Sequence, residues 1–161
     1  MLKTATLVSA LLSCSVASAG DRPIFAAWVE ANSNLTCTSD PAVEYVTISQ
    51  LHRINPRAEL GVYANGVIYI AVKKFSPKEK EGRKPVRLHE YVHSCQVDSG
   101  AFQTGDRVND CLGRETQAHE LDQLWRAEHG LVTEPITTWR MLEKCIQCIL
   151  GLTLASESDM V

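Results

Sequence analysis

The chain has 161 residues, with 16 Lys+Arg against 19 Asp+Glu and a formal charge of −3. That length fits one domain, since domains commonly run to about 100–150 residues. The mild acidic balance and 6% aromatic content argue against a nucleic-acid surface, and 45% hydrophobic residues exclude a disordered acidic chain.

Met1-Leu2-Lys3, an apolar run to about Val16, and Ala17-Ser18-Ala19 read as a signal peptide over 1–19, cleaved after Ala19. The run is shorter than the roughly 20 apolar residues a membrane span needs, so no transmembrane span is expected. Leu11-Leu12-Ser13-Cys14 also resembles a lipobox, which makes an envelope lipoprotein anchored through Cys14 the alternative. Both readings, secreted or periplasmic protein and lipoprotein, put the chain where disulfides persist. Cleavage after Ala19 leaves 142 residues and removes Cys14, so five of the six cysteines remain.

Residues 20–151 are expected to form a single α+β domain and 152–161 a flexible tail. Asp21 and Pro23 can open a helix with Ile24, Phe25, Trp28 and Val29 along one side. Val43 to Ser49 favours strand. Leu60–Tyr63 and Val67–Val72 flank Ala64-Asn65-Gly66 and read as a hairpin. Lys73 to Lys84 is charged and reads as a loop. Helices are expected from Pro85 to about Gln96, from Arg114 to Glu128 with Gly130 as its stop, and from Pro135 onward with Ile136, Trp139, Leu142, Ile146 and Ile149 on one side. The stretch from Asp98 to Asp110 reads as a loop.

The chemistry lies on the first of these three helices. His89-Glu90-Tyr91-Val92-His93 is an H-E-x-x-H sequence. Residues i and i+4 of a helix stand about 40° apart around the axis and about 6 Å along it, so His89 and His93 can grip one zinc ion. Glu90 can reach a water on that ion as general base, while Leu88 and Val92 anchor the opposite flank. A catalytic zinc needs a third protein ligand, and the next helix offers Glu115, His119 and Asp122 on one face. His52 and His129 have no such neighbours and read as structural or solvated.

Together, His89-Glu90-x-x-His93 and the later Glu115-Thr116-Gln117-Ala118-His119 resemble gluzincin-type zinc metallopeptidases, and more narrowly small secreted H-E-x-x-H proteins. The likeness runs from about Glu59 to Gly130. It implies a zincin-like fold, in which a small antiparallel or mixed sheet packs against the motif helix and two or three others. It implies one Zn2+ held by His89, His93 and Glu115, with Glu90 activating water. His119 departs from the pattern, and His119 and Asp122 remain candidates for orienting a ligand or donating to the transition state. In zincins the substrate peptide lies along an edge strand, and Val67, Ile68, Tyr69 and Ile70 are the candidate, although so apolar a run also suits central sheet.

Cys95 lies just past the motif and Cys111 four residues before Glu115, so a Cys95–Cys111 bridge is expected to close the loop between the ligand helices. Cys37 would then pair with Cys145 or Cys148, leaving one thiol. The resulting expectation is an exported metallopeptidase acting on a peptide or protein, including peptidoglycan peptides. The alternatives are a zinc-stabilised binding or toxin-like module without turnover, and a thiol redox protein using Cys145-x-x-Cys148.

Overall fold

The computed structural model describes residues 22–133 and 137–150. The expected signal peptide, the anchor at Cys14, the helix opening at Pro135 and the tail over 152–161 lie outside those residues, as does the side chain of Cys148. In chain order the elements are α1 (Arg22–Asn32), β1 (Ala42–Val46), α2 (Ile48–Ile54), β2 (Gly61–Ala64), β3 (Val67–Ala71), α3 (Pro77–Gly82), α4 (Lys84–Asp98), α5 (Arg107–Glu128) and α6 (Thr138–Leu150). The class is α+β, with a mixed three-stranded sheet in the order β1-β3-β2. No helix among the described residues is long and apolar enough to cross a membrane.

The hairpin forms as its sequence predicts. Asn65 and Gly66 both take positive φ, 51° and 78°, which gives the turn whose twist matches that of the flanking strands. β2 pairs antiparallel with β3, and β1 pairs parallel with β3 on the other side. Val67, Ile68, Tyr69 and Ile70 are therefore central, which corrects their assignment as a substrate edge strand. The cause is burial on both faces. Ile68 and Ile70 join Phe25, Val29, Leu88, Val92, Leu121 and Trp125 in the main core. Ala71 and Tyr69 pack with Leu51 and Ala58 on the opposite face. α2 thus covers one face of the sheet, while α1, α4 and α5 build the core on the other.

Three boundaries differ from the expected ones, each because of a helix cap. The strand expected over 43–49 ends at Val46, because Thr47 and Gln50 form a reciprocal capping box that starts α2. The cap outweighs the strand preference of Ile48. Within the expected loop 73–84, Ser76 accepts from the Glu79 amide and starts α3, and Glu79 in turn accepts from the Lys73 and Lys74 amides at 2.6 and 2.8 Å. α5 begins at Arg107, seven residues earlier than expected, because Asp106 accepts from the amides of Val108 and Asn109. Its end agrees with the sequence, with Gly130 at φ 64°. α6 turns Met141 and Cys145 inward and leaves Trp139 and Ile146 exposed, so the expected Trp139–Leu142–Ile146 stripe is not its buried face.

The cysteines also pair differently. Cys37 joins Cys95 and Cys111 joins Cys145, in place of the expected Cys95–Cys111 bridge and of Cys37 with Cys145 or Cys148. The loop before β1 is tied to the end of α4. The Thr36 amide donates to Ser99 Oγ at 2.8 Å, and the Thr38 and Ser39 amides donate to Asp98 Oδ2 at 2.7 and 2.6 Å. Those bonds lay Cys37 against Cys95, with 4.5 Å between their Cα atoms. Cys111 instead faces α6, where Thr116 also meets Met141.

Candidate metal centre

α4 has two flanks. Leu88, Tyr91, Val92 and Cys95 are buried in the core. His89 and His93 project from the other side, with 21% and 16% of their side chains exposed. Their rings stand 4.9 Å apart and nearly perpendicular, at 84°. α5 packs along α4 by burying Ala118, Leu121 and Trp125, and this packing presents Glu115 to the two imidazoles. Glu115 Oε2 lies 3.6 Å from His89 Nε2, and Oε1 lies 3.4 Å from His93 Nε2.

One donor atom from each of the three residues falls within 4.8 Å of the other two, so the group could hold a metal ion. The spacing also fits a small tetrahedral ion. Two ligands each about 2.1 Å from such an ion stand about 3.4 Å apart. Two imidazoles and one carboxylate would supply three of the four ligands such an ion takes, and all three side chains are partly exposed.

Glu90 is almost fully buried on the same helix, one residue after His89. Burial raises its pKa, and the nearby charge of Glu115 adds to the rise. The charge of His93 and a hydrogen bond from the Tyr63 amide, 2.9 Å from Glu90 Oε2, act against it. The balance holds the carboxyl at about 7. Gly61 makes room for this side chain. A Cβ there would lie 2.9 Å from Val86 Cγ1 and 3.0 Å from both Cγ and Oε1 of Glu90. Burial also works against ionisation of Glu115, but the hydrogen bond from His89 and the charges of His93, His89 and Lys144 outweigh it and hold its pKa at about 2.

One candidate site residue lies outside the motif. Gln96, fully buried, places Oε1 2.8 Å from His93 Nδ1, while its Nε2 donates to Arg114 O and Gln117 Oε1 at 3.0 Å each. With its amide nitrogen so engaged, Gln96 offers His93 an acceptor. That keeps the proton on Nδ1 and leaves Nε2 free to bind a metal. The signal in the sequence was its i+3 spacing from His93.

Of the other residues singled out, His119 lies half-buried one turn beyond Glu115 and outside the three-residue group. Asp122 is buried in an ion pair with Arg126, whose Nε donates to both carboxylate oxygens at 3.1 and 2.9 Å. His52 Nε2 meets Ala58 O at 3.1 Å, and His129 stacks on Trp125, so both are structural. Cys145 is locked to Cys111, which removes it from a Cys145-x-x-Cys148 redox pair.

No family model matches the chain, and neither does any curated protein or solved structure with which it was compared.

Proposed function

We propose that the protein is an exported zinc-dependent hydrolase that cleaves peptide bonds, with His89, His93 and Glu115 as ligands and Glu90 as general base. The observation that carries this reading is the convergence of three metal-ligand atoms beside a buried carboxyl on the same helix. Zinc, when bound, supplies Lewis acidity, lowering the pKa of a water and polarising a carbonyl. The chain's own groups do the rest. Glu90, held near neutrality by burial, can take a proton from water and return it to the departing nitrogen. The Tyr63 amide fixes one oxygen of that carboxylate, so its position is set before substrate arrives. The two disulfides support export, because such bonds persist in oxidising compartments.

The test is metal content and cleavage of a broad peptide library by the full chain. Glu90→Gln is expected to keep one zinc per chain and to lose about 10²-fold or more in cleavage rate. Equal cleavage by both proteins would remove Glu90 from the mechanism.

A zinc-stabilised binding module without turnover is the second reading. The observation favouring it is where two surface hollows among the described residues lie. Two hollows of about 450 and 500 Å³ both lie around Phe102 and the first half of α5, and neither is lined by His89, Glu90, His93 or Glu115. Stoichiometric zinc without hydrolysis across the library would select that reading.

A further inference from the structure

An ion pair links two segments that flank the metal centre. Lys144 Nζ on α6 lies 2.9 Å from Glu59 Oε1, and the two side chains are 47% and 69% exposed. Glu59 stands two residues before Gly61, the position whose missing side chain admits the Glu90 carboxyl. Lys144 is placed from the opposite side. Its neighbour Cys145 is bonded to Cys111, one helical turn before Glu115 on α5. The positive charge of Lys144 is accordingly among those acting on the Glu115 carboxyl. The pair therefore links the helix bonded to the Glu115 helix with the segment leading into Gly61 beside Glu90, and both of its side chains reach solvent.

An exposed pair of this kind is weak, worth about 0–1 kcal/mol, and a competing ligand can break it. A lysine ammonium is a compact charge on a flexible stem and does not demand one approach angle. Glu59 already shows what this ammonium accepts, an oxygen of a carboxylate at 2.9 Å.

Resting on the metal-site reading above, we infer that Lys144 is a specificity residue that receives a carboxylate of the substrate beside the bond presented to the metal, and that Glu59 occupies it in the substrate's absence. The substrate class is thus an acidic peptide, whose carboxylate comes either from a side chain or from the chain's C-terminus. Binding exchanges one carboxylate for another at Lys144 and frees Glu59 to solvent.

The test is calorimetric binding, at low and high salt, of three malonyl hydroxamates to the zinc-loaded full chain. One ends in Ala with a free C-terminal carboxylate, the second in Ala-amide and the third in Asp-amide. At low salt at least one carboxylate probe is expected to bind about fivefold tighter than Ala-amide, with the advantage shrinking at high salt. Whichever carboxylate probe gains identifies the source. Lys144→Gln is expected to erase the preference, whereas Glu59→Gln strengthens it about twofold because the internal competitor is gone. A merely structural ion pair would make both variants act in the same direction, and that result overturns the proposal. So does equal affinity of all three probes for a chain that retains zinc. A chain that neither retains zinc nor binds any of the probes overturns the metal-site reading itself, and this proposal with it.

Discussion

Burial of Glu90 couples its protonation to folding in the metal-free chain. An unfolded glutamate titrates near 4.5, whereas the folded one is raised to about 7, so the folded chain holds the extra proton between those values. Stability should therefore fall as pH rises from about 4.5 to 7, by on the order of 3 kcal/mol from this group. Glu115 has the opposite sign. Its depressed pKa stabilises the fold above about 4.5, and that contribution is lost as pH falls toward 2. Urea unfolding with chelator present, at pH 5 and pH 7.5, measures the first effect, and Glu90→Gln should remove it. Gln96 makes a separate prediction. Gln96→Leu takes the acceptor from His93 Nδ1 and should weaken zinc binding about 10–100-fold, read by competition with a chelator of known affinity. An unchanged affinity would show that His93 needs no partner to keep its ring in place. The three motif residues were legible because one helix sets their spacing. Gln96 was not, because its role depends on Arg114 and Gln117 of another helix holding its amide in one orientation.

The packing of α4 against β2 rests on a missing side chain. Gly61 does not take positive φ, so glycine is needed there for space rather than for backbone conformation. Gly61→Ala should force Val86 and Glu90 away from the strand and cost about 1–3 kcal/mol by overpacking. Because Glu90 moves with them, the variant should also lose cleavage while keeping its zinc. Urea unfolding beside a zinc assay separates the two effects, and full stability would show that α4 can shift at no cost. The register of the hairpin also explains why Glu90 reaches a backbone amide. Ala71 N donates to Leu60 O, so alternate residues Leu60, Val62 and Ala64 face β3, and the Tyr63 amide points out from the sheet. Hairpin and motif helix were readable from the sequence because their signals are local. The order of the strands was not, since the parallel β1–β3 pair joins segments separated by α2 and β2. The short helices α2 and α3 were hidden for a different reason. Their signals are caps, Thr47 with Gln50 and Ser76 with Glu79, rather than apolar periodicity.

On the scale of the molecule, the candidate ligands come from two helices that pack on each other, so binding a metal there should stabilise the whole fold. With zinc at a thousandfold excess over its dissociation constant, the expected gain is about 4 kcal/mol. Thermal unfolding should show a higher Tm with zinc and a return to the metal-free value on chelation. Glu90→Gln should keep the shift, and Glu115→Ala should lose most of it. A shift that survives in Glu115→Ala would place the ion elsewhere. The fold class could be inferred from the order of helical and strand patterns, but the disulfide pairing could not. Cys37 meets Cys95 only because Asp98 and Ser99 capture the amides of a loop some 60 residues earlier in the chain.

That pairing takes these four cysteines in chain order, first with second and third with fourth, Cys37 to Cys95 and then Cys111 to Cys145. The two closed loops are consecutive, neither nested nor interlocked. In a chain threaded through a membrane N-terminus first, an oxidase that couples thiols as they emerge would make the first bridge before Cys111 arrives. The second would follow without any need to undo the first. These two bridges can thus form in the order in which their cysteines are synthesised.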